Sequence, residues 1–267
     1  MTDDAKRGSE IGRPDPWHTL RSLTAARIGL GRAGGSLPTR PLLEFQLAHA
    51  RARDAVLHEL DAAALAQSLT SPSDDIFQLH SAAGDRAAFI ARPDCGRILD
   101  DTSRKLLEKR TAAITPYDCA FIVADGLSAC AIEHHAAGLL AAIFEKLAGD
   151  DWRLAPLSIV RQGRVAIGDE IGALLQARMT VLLIGERPGL SAPDSLGIYL
   201  TYDPLPGRSN AERNCISNIR EPGGLSYARG AHKLAYLMRE SRRRHLSGID
   251  LKEQAAALDD AGSAENA

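Results

Sequence analysis

Between residues 119 and 185 the chain alternates between two periodicities, and that alternation constrains the fold most. CAFIVA (119–124), LSIV (157–160) and MTVLLIG (179–185) are short apolar runs with β-branched content, the signature of buried strands. Between them lie ACAIEHHAAGLLAAIFEKL and VAIGDEIGALLQA, two helix-forming stretches rich in Ala and Leu or Ile. Strand, helix, strand, helix, strand at this spacing predicts a parallel sheet covered by helices, with right-handed crossovers. GIYLTY (197–202) reads as a fourth strand, followed by a long loop reaching Cys215. SYARGAHKLAYLMRESRRRH closes the domain as a helix. The fold class is therefore α/β.

Upstream the text is helical. Residues 1–14 are polar and read as a flexible tail. Asp15 is a candidate N-cap, with Pro16 at the first helical position. Trp17, Leu20, Leu23 and Ile28 then recur at roughly helical spacing. A second helix starts near Pro41, and Leu42, Phe45, Ala48, Ala52 and Val56 form a broad stripe expected to be buried. Residues 61–112 read as weaker helix or irregular structure. The resulting division is a helical N-terminal domain over 15–112, an α/β domain over 113–253, and a second tail over 254–267.

A net charge of −2 offers no global field for nucleic acid or an anionic membrane, and 4% aromatic content does not suit base stacking. None of the cysteines, Cys95, Cys119, Cys130 and Cys215, sits in a C-x-x-C pair, so no zinc framework is expected. No signal peptide or spanning segment is visible, which points to the cytoplasm, free or inside a protein-shelled compartment.

Gly29, Gly31 and Gly34 match G-x-G-x-x-G, the turn that binds dinucleotides when it follows a strand and opens a helix. Here a helical pattern precedes it and GSLPTRP follows, so it reads as a helix C-cap and glycine-rich connector. A nicotinamide oxidoreductase would require a strand before Gly29.

Loops after the predicted strands carry the chemistry. ERPGLSAPDS places Glu186, Arg187, Ser191 and Asp194 where open α/β sheets bind ligands. It reads equally as a surface loop whose charges neutralise each other. Gly163 would let backbone amides approach a ligand, and Arg161 and Arg164 are able to pair with phosphate or carboxylate, or to stay solvated. Asp125 reads as a helix cap rather than a ligand. Cys215 reads as a small packed residue rather than a nucleophile, although His232 follows on the next helix. Glu133-x-His135-x-x-Gly138 approaches the D-x-H-x-x-G motif of some cobalamin proteins. It lies inside a predicted helix rather than after a strand, so His134 and His135 read as ordinary helix histidines. Arg242, Arg243 and Arg244 complement the dipole of a helix C-terminus.

Taken in order, RIGLGRAGGSLPT, FQLAHARARDAV, ARPDCGR, IVADGLSA, VRQGRVAIGDEIG, LIGERPGLSAPDSLGIYLTYDP and RNCISNI resemble the small subunit of ethanolamine ammonia-lyases over about residues 16–250. The resemblance implies an adenosylcobalamin-dependent lyase that converts ethanolamine to acetaldehyde and ammonia by radical chemistry, in ethanolamine degradation that often takes place in bacterial microcompartments. It implies a Rossmann-like α/β domain preceded by a small helical domain. It also implies a large-subunit partner, a TIM barrel that holds the substrate and catalytic groups, with the small subunit helping to close the cobalamin site. The cofactor would keep its own dimethylbenzimidazole on cobalt, so neither a catalytic residue nor a metal ligand is expected from this chain. By motif, the cobalamin contacts fall at Val165, Glu186 and Cys215. The competing expectation is a stand-alone α/β binding module or small-molecule transferase that uses the Glu186–Arg187 loop unaided.

Overall fold

The computed structural model describes residues 17–71, 73, 75–111 and 116–252. It divides into two compact units, Met1–Arg51 and Ala52–Ala267.

In the first unit, helix α1 covers only His18–Ser22, and α2 begins at Thr39 and runs to Leu57. The candidate cap Asp15 and Pro16 lie outside the described residues. The helix expected as far as Ile28 stops early because Thr24 folds its hydroxyl back onto the Ala26 amide, 3.1 Å away. The connector then turns through Gly29, Gly31 and Gly34, all with positive φ. Gly29 has no room for a side chain, since a Cβ there would lie 2.2 Å from the Trp17 ring. No strand precedes Gly29 among the described residues and no helix opens between Gly29 and Thr39, so the dinucleotide reading is excluded. The apolar stripe of α2 departs from expectation. Leu42, Leu43, Phe45 and Leu47 are exposed, and only Ala55 of this helix is buried.

The second unit is a three-layer α/β structure. Its elements are α3 (Ala62–Ser68), β1 (Ile76–His80), α4 (Arg86–Ala91), α5 (Asp101–Thr111), β2 (Ala120–Ala124), α6 (Ala129–Leu147), β3 (Leu157–Arg161), α7 (Ile167–Leu174), β4 (Met179–Gly185), β5 (Leu196–Tyr202), β6 (Arg213–Ile219) and α8 (Tyr227–Arg244). The sheet order is β1-β3-β2-β4-β5-β6. The first four strands are parallel, whereas β5 and β6 run antiparallel to their neighbours.

The sheet is thus mixed rather than parallel throughout. Ten residues without a helix join β4 to β5, too little for a crossover, so β5 must return antiparallel. Two strands were not anticipated. β1 lies within the segment read as helical or irregular. β6 occupies what reads as the end of a loop, because its open face carries Cys215 and Ser217. Its buried Ile216 and Ile219 are three residues apart rather than two, the result of a bulge opposite Leu196–Ile198 with Asn218 at φ 59°.

Alternate residues of the central strands feed two cores. Val181, Leu183, Ile198 and Leu200 pack with Ile132, Leu139 and Ile143 of α6 and Leu234 and Met238 of α8. Ile122, Val160, Leu182 and Ile184 pack on the other face with Leu107 of α5 and Ile167 and Ile171 of α7. That second face is covered over the parallel strands but runs out toward β6, where Cys215 is exposed.

Candidate functional site: a sheet lip and an open sheet face

The chain leaves β2 toward α6 on one face and leaves the adjacent β3 toward α7 on the other. The crevice beyond their carboxyl ends is the place where such sheets commonly take ligands. Here the protein fills it with its own groups. Asp125, fully buried, accepts the Gln162 amide (2.9 Å) and the Gly163 amide (3.0 Å). Arg86 closes the space, donating Nη1 to the Gly126 carbonyl (2.8 Å) and Nε to the Val56 carbonyl (2.7 Å), with Nη1 3.4 Å from Asp125. Burial pushes the Asp125 carboxyl up, while the Gln162 amide, Arg86 and the Gly163 amide pull the other way.

Several expectations are corrected by this arrangement. Asp125 does not cap α6; Ser128 does, accepting the Ala131 amide at 3.3 Å. The Gly163 amide is committed to Asp125 rather than to a ligand. Arg164 is half-buried, stacks on Phe89 at 4.2 Å from the ring centroid, and donates to the Phe89 carbonyl at 3.1 Å, so part of its guanidinium is already engaged within the chain. Arg161 is exposed. At the far end of α8, Arg242 stacks on Trp152 at 4.6 Å and Arg243 pairs with Glu240.

What remains open is the lip beyond β4 and the adjoining face of β5 and β6. Glu186 follows β4 directly. Its carboxylate accepts the Ser195 hydroxyl (2.6 Å) and the Asn218 amide (3.2 Å to each oxygen). It lies across β5 at Gly197, where a Cβ would come 3.1 Å from Oε1. Two residues along the same face is Tyr199, which pairs with Cys215 of β6 and Leu182 of β4. The Tyr199 phenol is pushed up by burial and by the nearness of Cys215 and Glu186. The Cys215 thiol is exposed, with Sγ 3.2 Å from the Ser217 hydroxyl. Val165 sits in the turn between β3 and α7 and packs, half-buried, against the core of the same sheet face, as does Tyr199.

Glu186, Tyr199 and Cys215 therefore come together on one face, whereas Val165 lies beyond β3, separated from β4 by β2, on the same side of the sheet. Elsewhere in the 186–195 loop, Asp194 pairs with Arg220 (3.0 Å), while Arg187 and Ser191 are exposed. Tyr199, Ser195 and Asn218 were not singled out in the sequence. The alternation of GIYLTY puts Tyr199 on the Gly197 face, the one signal that pointed to it. The arrangement can accept hydrogen bonds at Glu186 and cover a flat, partly apolar ligand at Tyr199 and Cys215. No helix among the described residues is long and apolar enough to cross a membrane.

The fold is thus a mixed α/β domain whose switch-point crevice is filled by its own groups and whose β4–β6 face carries one ordered carboxylate. Comparison with known proteins gives its family. The ethanolamine ammonia-lyase light chain family (EutC) matches residues 14–252, and the chain belongs to this family. It is 55% identical over 256 residues to the ethanolamine ammonia-lyase small subunit of Ralstonia nicotianae, covering 96% of this chain and 94% of that protein. It is 56% identical over 252 residues to the small subunit of Azotobacter vinelandii, with 93% of each chain covered. With that of Pseudomonas putida it shares 54% over 255 residues, 94% of this chain and 93% of the relative.

Proposed function

We propose that this chain is the small subunit of an adenosylcobalamin-dependent ethanolamine ammonia-lyase, and that its open β4–β6 face closes one side of the cobalamin site. The observation that carries the reading is the convergence of Glu186, Tyr199 and Cys215 on a sheet face that, among the described residues, the chain's own helices leave open. The chemistry of these residues suits a cofactor that carries amide and hydroxyl donors beside apolar surface. The face is broad and mixed in polarity, and its carboxylate is already oriented by Ser195 and Asn218.

Adenosylcobalamin, when bound, supplies the radical chemistry that converts ethanolamine to acetaldehyde and ammonia. This chain's residues bind, orient and exclude water. Glu186 retains lone pairs to accept hydrogen bonds from amide or hydroxyl groups of the cofactor. Cys215 and Tyr199 cover apolar surface, and Val165 closes the edge near β3. A positioned carboxylate at this lip costs little reorganisation on binding, because two donors already fix it.

We assign contact with the large subunit to the helical N-terminal region and cofactor contact to the Rossmann-like α/β domain, at the lip and face of β4–β6. Exposed Trp17, Leu20, Leu23, Leu43 and Leu47 support that assignment, since a subunit chain shows apolar surface where its partner docks.

Reconstitution tests the reading. The chain is mixed with the large subunit of the same source, and ammonia release from ethanolamine is measured with and without adenosylcobalamin. Turnover should require both chains and the cofactor, and Glu186→Ala should weaken cobalamin binding while leaving the complex assembled. Folded chains that neither associate nor turn over ethanolamine would favour the stand-alone binding module.

A further inference from the structure

Away from the proposed cobalamin face, α6 presents two consecutive histidines to the loop between β4 and β5. His134, His135 and Asp194 each offer one ligand atom, and these atoms lie within 4.8 Å of one another. His135 is buried, yet its Nε2 has no hydrogen-bond partner. That atom is aimed at Asp194 Oδ2, 3.7 Å away, too far for a hydrogen bond and close enough for both atoms to ligate one ion.

The surroundings prepare His135 for that task. Its Nδ1 is 2.7 Å from the Tyr227 hydroxyl, a contact that fixes the ring and leaves Nε2 pointing into the cluster. Gly138, one turn further along α6, allows this approach, because a Cβ there would lie 2.7 Å from the Tyr227 ring. Asp194 Oδ1 accepts from Arg220 Nη1 at 3.0 Å, which leaves Oδ2 for the cluster. Arg220 opposes a cation electrostatically, so it sets the affinity below what three such ligands would otherwise give.

We propose that His134, His135 and Asp194 form a binding site for a late first-row divalent cation of the zinc class. Two imidazoles and one carboxylate suit Zn²⁺, with water in the fourth position. Tetrahedral coordination at about 2.0–2.1 Å brings ligand atoms to roughly 3.3 Å apart, so the cluster must contract. The exposed His134 ring supplies that movement. An ion here ties α6 to the loop ending in Ser195, whose hydroxyl holds Glu186, and so stiffens the lip of the sheet. The site is independent of the cobalamin reading and is tested without it.

The probe is the metal itself. The full-length chain, stripped with a chelator, is titrated with Co²⁺ for visible absorption bands and with Zn²⁺ against a chromophoric indicator. One equivalent should bind with four-coordinate Co²⁺ bands. His134→Ala, which removes an exposed side chain, should abolish those bands with the fold intact by circular dichroism, and Asp194→Asn should do the same. Tyr227→Phe should weaken binding about tenfold or more as an outer-shell change, and Arg220→Ala should tighten it. His232→Ala, outside the cluster, should leave it unchanged. Failure of the parent chain to bind one equivalent, or binding undiminished by His134→Ala, overturns the proposal.

Discussion

Replacing Asp125 with Ala should destabilise the fold more than removing a typical surface carboxylate, and the structure sets the scale. The side chain is fully buried and takes the amides of Gln162 and Gly163 at 2.9 and 3.0 Å. Each amide left without an acceptor costs about 1–3 kcal/mol. Arg86 would also lose its nearby carboxylate while remaining buried, and breaking such a pair from one side costs ~3–5 kcal/mol in all. These terms overlap, so we expect ~3–5 kcal/mol, a large share of the roughly 5–15 kcal/mol that holds a typical domain together. With a urea dependence of about 2–3 kcal/mol per molar, the unfolding midpoint of the full chain should drop by about 1–2 M. Arg86→Met added to Asp125→Ala should cost less than the sum of the two changes, because it removes the stranded charge. Two results would refute the reasoning: an Asp125→Ala midpoint indistinguishable from that of the parent, or strict additivity with Arg86→Met. The same substitution frees the turn leading to Val165, so cobalamin binding by the assembled enzyme should weaken in parallel.

Glu212 gives a pH signature. The Ser209 amide first, then Arg208, hold its carboxyl down at about 2. A folded value below the unfolded one means stability that is present above the ordinary carboxylate range and lost as pH falls toward about 2. Glu212→Gln should therefore lower the melting temperature at neutral pH, and the gap from the parent should close between about pH 4.5 and 2; a gap that persists at pH 2 contradicts the sign. Gly31 adopts φ 78°, so Gly31→Leu should strain the connector and weaken association with the large subunit in size-exclusion chromatography. Unchanged co-elution would remove the connector from the proposed partner surface.

The central strands and their helices were legible because burial on both faces writes near-continuous apolar runs. CAFIVA, LSIV and MTVLLIG correspond closely to β2, β3 and β4. The edges were not legible. β6 carries its polar side chains on an open face, and a bulge breaks the two-residue spacing of Ile216 and Ile219. The stripe on α2 is legible as apolar periodicity, but periodicity does not say whether the chain itself or another covers it. Glu186 was visible because a loop after a strand is where ligands collect. Its orientation by Asn218 was not, since that contact spans 32 residues and depends on the unrecognised strand. Asp125 misled for a related reason. An Asp just before a helix reads as a cap, whereas its true partners lie 37 and 38 residues away, on the turn after β3.

The most direct test of the central claim is the chemical accessibility of Cys215 in the assembled enzyme. The complex of this chain with its large subunit is treated with a thiol alkylating agent, with and without a cobalamin, and each cysteine is followed by peptide mass spectrometry. Cys119 is fully buried and should stay unlabelled throughout. If the β4–β6 face covers the cofactor, cobalamin should sharply slow labelling of Cys215 while labelling of half-buried Cys95 proceeds unchanged. Equal labelling of Cys215 with and without cobalamin would contradict the account.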